Sequence, residues 1–158
     1  MKQLLASIHA YLLRQRSSRL VLLFLIGSLS ASIFFGFLAR KAGMESLASG
    51  FKSFRSIGEE ILLGIFLAPI LESLIFQLMI IEATRKKLPT YGCCLLSALA
   101  FGSVHYYNIF YFMLAFFTGM LFAYLYLLGG SIRKGFFLIV VTHMLHNSVA
   151  LLMGHLGD

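Results

Sequence analysis

The sequence predicts an all-α protein, a polytopic transmembrane helix bundle with about five spans and an N-terminal interfacial helix. Of the 158 residues, 59% are hydrophobic and only 12% are charged, whereas soluble domains carry about 25% charged residues. The apolar residues form uncharged runs of about 20 residues, enough to cross a hydrocarbon core of about 30 Å. Lys and Arg stand at the ends of these runs. This pattern excludes a soluble domain, a disordered chain and a disulfide scaffold.

The first elements are an interfacial helix and one span. Residues 1–19 place Lys2, Arg14, Arg16 and Arg19 beside an apolar helical stripe, a pattern typical of a helix lying on an anionic membrane surface. Residues 20–39 carry no charge and form the first span. This run is longer than the apolar region of a cleavable signal peptide, which has about 7 to 15 residues.

A loop and the second span follow. Residues 40–60 mix Gly, Ser and both charge signs, and we expect a surface loop with a short interfacial helix. Residues 61–81 form the second span, which is apolar except for Glu72, Ser73 and Gln77.

The remaining chain contains three more spans. About 45 residues between Lys87 and Arg133 carry no charge, too many for one crossing. A polar break at 105–108 divides them into spans over 91–106 and 109–128. The last span covers 135–153, and all five belong to a single integral membrane domain over 1–158.

The basic residues also predict orientation. Lys and Arg gather in 1–19, 85–87 and 133–134, which places these segments inside under the positive-inside rule. The loop over 40–60 carries four basic residues and opposes this assignment. We expect an inside N-terminus in the cytoplasmic (inner) membrane of a bacterium. The net charge of +7 is therefore an orientation signal, and we expect no nucleic-acid partner.

Four ionisable side chains inside the spans are candidates for chemistry: Glu72, His105, His143 and His146. Such groups cost about 2.5–3.5 kcal/mol at membrane depth and mark function by default. A Glu beside a His is a competent base for water, and a His with an Asn one turn away, His143 with Asn147, supplies donors for an oxyanion. These are the parts of peptide-bond hydrolysis. The same groups also fit a proton path, a metal site or a haem site.

Three short motifs in successive spans resemble one family. Residues 68–77 (APILESLIFQ) are similar to its first motif, two Glu followed by three variable residues and Arg; 101–105 (FGSVH) matches its second, and 143–147 (HMLHN) its third. The family is CPBP, the CAAX-protease and bacteriocin-processing intramembrane endopeptidases. The resemblance covers roughly residues 63–152.

The resemblance implies a glutamate-type intramembrane protease. By position, Glu72 would activate water with His105 as its partner, and His143 with Asn147 would stabilise the oxyanion. This mechanism needs no metal or cofactor. Phe101 and His146 belong to the motif segments as supporting residues, although His146 stands at a variable position.

The chain departs from the first motif at two positions. Ser73 stands where the family has its second Glu, and Gln77 where it has Arg. The two lie four apart on one helical face, so we expect them to hydrogen-bond to each other in place of the ion pair.

Several alternatives stay open. Glu72 would have a structural role if it were protonated and bonded to a neighbouring helix. His143 and Asn147 would have one if they only formed interhelical hydrogen bonds that hold the bundle together. The chain would then be a catalytically relaxed relative that acts as a scaffold or immunity protein. A haem- or proton-carrying membrane protein is the other class. For a protease whose site faces outward, leader peptides, secreted peptides or sorting tails are favoured over prenylated CAAX tails.

Overall fold

The structure is a computed structural model that describes residues 2–44 and 54–156. These residues form helices joined by turns and contain no strand, which confirms the all-α polytopic prediction. The helices are α1 (Lys2–Leu13), α2 (Ser17–Lys41), α3 (Ile57–Thr84), α4 (Thr90–Ser103), α5 (Ile109–Leu128) and α6 (Ile132–Leu156).

Four helices, α2, α3, α5 and α6, are long and apolar enough to cross a membrane. Helix α4 has 14 residues and extends about 21 Å at 1.5 Å per residue. It is therefore shorter than the predicted span over 91–106, and a fifth full crossing stays a prediction.

The N-terminal segment differs in detail from the predicted helix over 1–19. Helix α1 ends at Leu13, and a turn separates it from α2, which begins at Ser17. The Nδ1 atom of His9 lies 2.7 Å from the hydroxyl of Tyr124, so α1 contacts α5. Most of the second predicted interfacial helix, within 40–60, falls outside the described residues.

Helix α3 is irregular on both sides of Glu72. Residues Ile61–Leu67 and Ser73–Met79 form π-helical turns, with regular α-helix over Ala68–Glu72 between them. In a π turn each N–H bonds the carbonyl five residues earlier, and such turns occur frequently at functional sites. The N–H of Ala68 bonds the carbonyl of Leu63 in this way, and Pro69 follows with no N–H to continue the pattern.

The hairpin of α4 and α5 packs tightly in the middle of the bundle. A Cβ atom at Gly119 would lie 3.1 Å from the Cα of Ala98, so the two backbones approach to a distance that a larger residue would prevent. The core continues along α5 through Phe122 and Leu125, which are fully buried against the neighbouring helices.

The turn between α4 and α5 lies at the level of Glu72, near the middle of the longer helices. Glu72 is about 22 Å from the start of α3 and about 18 Å from its end. The chain leaves α4 at Ser103, passes His105 beside Glu72 and enters α5 at Asn108, whose Oδ1 accepts from the N–H of Tyr111 at 2.8 Å. Among the residues that the structure describes, the bundle beyond this level includes parts of α2, α3 and α6.

Candidate active site

Glu72 ends the short α-helical segment of α3, and its carboxylate faces two imidazoles from elsewhere in the bundle. Its Oε2 lies 3.6 Å from Nε2 of His143, and its Oε1 lies 4.0 Å from Nε2 of His105. The side chain is 26% exposed, so it borders a cavity and is not sealed inside the core. Both distances exceed a good hydrogen bond, which spans 2.7–3.2 Å.

His105 is held from the side opposite Glu72. It lies in the turn after α4, two residues beyond the helix end at Ser103. Its Nδ1 is 2.7 Å from the carbonyl oxygen of Phe101. A carbonyl only accepts, so Nδ1 carries the hydrogen, and Nε2 of a neutral ring is an acceptor directed at Glu72.

Phe101 supports both imidazoles. Its ring centroid lies 4.6 Å from that of His105 and 5.8 Å from that of His143. Phe101 is buried at 3% exposure. In the second motif, Phe and His four apart, the Phe therefore packs against the His of its own motif and also against His143.

His143 is buried in α6 and touches both Glu72 and its neighbour Ser73. The Oγ of Ser73 is 3.5 Å from Nδ1 of His143, while Nε2 faces Glu72. On the remaining side the ring of Phe122 packs 4.9 Å away. His143 thus lies nearer to the carboxylate than His105 does, although the resemblance paired Glu72 with His105.

Asn147 forms an interhelical hydrogen bond, the alternative that the sequence left open for it, although the sequence did not predict the partner. Its Nδ2 donates to the carbonyl oxygen of Gly64 at 2.8 Å. In the π-helical register this carbonyl would receive the N–H of residue 69, and Pro69 has none. Asn147 therefore supplies the missing donor, and one N–H of its amide remains for other partners. The structure places Asn147 on the cavity wall with Glu72, His105 and His143.

Ser73 and Gln77 are not paired with each other, so the expected hydrogen bond between them is wrong. Both side chains are fully buried. Ser73 turns to His143, while neither polar atom of Gln77 has a hydrogen-bond partner among the described residues. The hydroxyl of Ser73 lies against the imidazole of His143 in α6, so the contact with the neighbouring helix replaces a contact within α3.

His146 connects α6 to α2. Its Nδ1 lies 2.9 Å from Oγ of Ser28, and its Nε2 lies 3.5 Å from Oγ of Ser32. Sequence reasoning missed both serines. The available signal was the group Ser28, Ser30 and Ser32 in an apolar span, because polar residues on one helical face often bond a neighbouring helix.

A cavity of about 810 Å³ joins these groups. Its walls are mainly apolar and come from α2, α3, α5 and α6, with Tyr107 and Tyr111 beside the turn. Tyr111 packs 5.6 Å from His105 and was not predicted from the sequence. Phe101 and His146 also line the cavity, whereas Ser73 and Gln77 lie behind its wall.

In residues 2–44 and 54–156 no group of three or more His, Cys, Asp or Glu side chains is arranged to hold a metal ion. The expectation that the reaction uses neither metal nor cofactor stays a prediction.

Comparison with known families gives one match. The family model described as "Type II CAAX prenyl endopeptidase Rce1-like" matches residues 56–149, a range that contains all three motifs. No curated protein matches the chain, and no solved structure does. The apolar helices and the match to a family of membrane proteases together make the chain an integral membrane protein.

Proposed function

Because the chain belongs to the family of type II CAAX prenyl endopeptidase Rce1-like proteins, we propose that it is an intramembrane endopeptidase of the glutamate type. It hydrolyses a peptide bond in a membrane-associated protein or peptide. The resemblance to the CPBP family drawn from the three motifs is confirmed by this membership. The mechanism, the roles of individual residues and the substrate are our proposals.

The observation that carries the proposal is the meeting of Glu72, His105 and His143 at one cavity. The Oε1 of ionised Glu72 and the Nε2 of neutral His105 are both acceptors, and they lie 4.0 Å apart. A molecule with two donor hydrogens matches two acceptors at this separation, and water is such a molecule. Glu72 then takes a proton from the water as its oxygen attacks the peptide carbonyl.

His143 and Asn147 stand one helical turn apart on the same side of the cavity. As the carbonyl oxygen becomes negative, His143 and the free N–H of Asn147 stabilise the charge. The bond of Asn147 to Gly64 fixes the amide in place before the reaction, which is what an oxyanion donor requires. The proton held by Glu72 passes to the leaving amine, and the carboxylate is restored.

The position of the α4–α5 turn supports access of water to this site. The α4–α5 turn lies at the depth of Glu72, and non-helical backbone at membrane depth is tolerated where it lines a water-filled cavity or is buried in protein. Tyr106 and Tyr107 on this turn are 80% and 70% exposed, so the turn is not buried. The exposed polar turn therefore supports hydration of Glu72.

We also propose an inside N-terminus, in a bacterial cytoplasmic membrane. The Lys and Arg residues at 14–19, 85–87 and 133–134 lie near the ends of α1, α3 and α5 or at the starts of α2 and α6. Helices that alternate in direction bring these positions to one end of the bundle. The cavity then opens toward the other side, which favours secreted or leader peptides as substrates.

The test uses the full chain, purified and reconstituted in lipid nanodiscs. It is incubated with quenched fluorescent peptides, one set apolar and unmodified, the other carrying a prenylated CAAX end. Glu72→Gln and His143→Ala should lower the rate by about 10²–10⁴-fold, the usual contribution of a general base, while circular dichroism shows unchanged helix content.

Glu82→Gln is the matched control. Glu82 lies ten residues further along α3, accepts from the hydroxyl of Tyr126 at 2.6 Å and borders no part of the cavity. The control should cleave at the wild-type rate. Cleavage that persists in Glu72→Gln would overturn the glutamate mechanism, and cleavage of the prenylated set alone would overturn the proposed substrate.

A second candidate rests on Ser73 and Gln77. Because these neutral residues replace the charges of the first motif, the chain would also fit a relaxed relative that acts as a membrane scaffold or immunity protein. In that case Glu72→Gln would leave the cellular phenotype unchanged, whereas a protease would lose it.

A further inference from the structure

One wall of the cavity is a stripe of α2 that leads away from the candidate active site. Ser32, Ile33, Gly36, Phe37 and Arg40 line the cavity in turn, and their spacing is that of one helical face. Ser32 contacts His146 at the inner end of this stripe. Arg40 is eight residues further on, about 12 Å along the helix axis.

Arg40 is the one Lys or Arg among the described residues that borders the cavity, and Glu72 is the one acidic residue. The cavity therefore has a carboxylate at its inner part and a guanidinium at its mouth, separated by apolar wall. Arg40 lies outside residues 56–149, the range that the family model matches.

Two acidic residues at the start of α3, Glu59 and Glu60, already have other partners. Glu59 accepts from the backbone N–H of Arg55 at 2.8 Å, and the Oε2 of Glu60 lies 3.2 Å from Nε2 of His155. Within the described part of the chain the exposed guanidinium of Arg40 forms no salt bridge. With respect to the described residues, its five donor hydrogens remain available to a ligand.

The neighbouring residue is placed differently. The Nζ of Lys41 lies 5.7 Å from the ring centroid of Phe37, a cation–π contact, and Lys41 does not line the cavity. Two adjacent cations of the same helix turn thus differ in whether they face the cavity, which makes Lys41 a control for simple surface charge.

We propose that Arg40 is a specificity-determining residue that binds a carboxylate of the substrate at the cavity mouth. The carboxylate belongs either to a free C-terminus or to an acidic side chain, and the apolar segment attached to it lies along the α2 wall. A planar guanidinium binds a carboxylate through two parallel hydrogen bonds. This inference rests on the proposed protease function and deepens it by naming a feature of the substrate.

The chain contains no Trp, so a Trp-containing peptide can be followed by its own fluorescence. Three short apolar peptides, each with a single Trp, serve as probes, and they share one sequence except for one acidic residue in the third. The first has a free C-terminal carboxylate, the second a C-terminal amide, and the third a C-terminal amide with one acidic side chain. The full chain carries Glu72→Gln to prevent cleavage and is held in phosphatidylcholine nanodiscs.

We expect the first or the third peptide to bind about fivefold more tightly than the second, the size of a partly exposed ion pair. Which of the two binds tightly identifies the source of the carboxylate. Arg40→Gln should remove this preference and leave the affinity for the amide peptide unchanged. Lys41→Gln should retain the preference. High salt should reduce it, because an exposed ion pair is screened.

Equal binding of all three peptides by the chain with Arg40 would overturn the role of Arg40 while leaving the cavity as a peptide site. Equal loss of preference in Arg40→Gln and Lys41→Gln would overturn it too, because the effect would then be surface charge. Absence of binding by every peptide would overturn the proposed function together with the inference.

Discussion

The hydrogen bond from Asn147 to Gly64 separates a structural role of Asn147 from a catalytic one. Asn147 donates through Nδ2 to the carbonyl oxygen of Gly64 at 2.8 Å, because Pro69 provides no N–H for it. Asn147→Ala removes this donor and leaves a carbonyl in an apolar helix without its partner. Pro69→Ala, in the same chain, restores an N–H that can bond the Gly64 carbonyl within α3.

The expected loss in the free energy of unfolding follows from two typical energies of hydrogen bonds. A buried polar group that loses its partner costs about 1–3 kcal/mol, whereas interhelical hydrogen bonds in membrane proteins average about 0.6 kcal/mol and reach about 1.7. We therefore expect Asn147→Ala to lower the free energy of unfolding by about 1–2 kcal/mol. In the Pro69→Ala background the same change should cost about 1 kcal/mol less.

The assay is a double-mutant cycle over four proteins: wild type, Asn147→Ala, Pro69→Ala and the double variant. Unfolding in detergent is induced with SDS and followed by the loss of helical circular dichroism. Cleavage of the fluorescent peptide is measured on the same preparations. The proposed oxyanion role predicts that the double variant regains stability and still lacks most of its activity.

Two results would refute the reasoning. If Asn147→Ala costs the same free energy in both backgrounds, the Gly64 carbonyl does not depend on Pro69 and Asn147 in the way described. If the double variant regains full activity along with stability, Asn147 acts only by holding α3 to α6, and it has no part in stabilising the oxyanion.

Three further predictions concern packing, a buried polar contact and metal independence. Gly119→Val should destabilise the bundle by about 1–3 kcal/mol through overpacking, because its Cβ would meet the Ala98 backbone at 3.1 Å. The control is Gly27→Ala, whose Cβ would meet only a leucine methyl at 3.4 Å. We expect SDS unfolding to show that this control is tolerated. Tyr126→Phe should cost about 1 kcal/mol in the same assay by removing its 2.6 Å bond to Glu82, and an unchanged unfolding curve would contradict this. EDTA should leave peptide cleavage unchanged; loss of cleavage that added Zn²⁺ restores would contradict the metal-free mechanism.

The helix class was predictable because hydropathy alone determines it. Apolar runs of about 20 residues predicted the membrane helices. The helices of the structure that are long enough to cross a membrane include four of the five predicted spans. The remaining one, α4, is shorter because the chain turns at the level of Glu72. Hydropathy does not report depth, so a turn inside the bundle and a turn at the membrane surface look alike in the sequence.

The grouping of Glu72, His105 and His143 could be anticipated because ionisable residues are rare in apolar spans and these come from different helices. Their supporting contacts could not be anticipated. The bond of Asn147 to Gly64 depends on a π turn whose register is not encoded in local propensity, and the position of Arg40 at the cavity depends on how α2 packs against α6. Such features arise from tertiary packing, and the periodicity of apolar residues does not predict how helices pack.

The two departures from the first motif lie beside the candidate site and do not include Glu72, His105 or His143. Ser73 and Gln77 are fully buried, and a buried ion pair at these positions would carry a desolvation penalty of several kcal/mol per ion. The neutral pair avoids that penalty. Ser73 still offers its hydroxyl to His143 at 3.5 Å, so the imidazole beside Glu72 keeps a polar neighbour. The cost falls on Gln77, whose amide has no partner among the described residues, and a group of this kind destabilises by about 1–3 kcal/mol. The replacement therefore exchanges the desolvation of two ions for one unpaired amide, and it leaves Glu72 with both of its histidines.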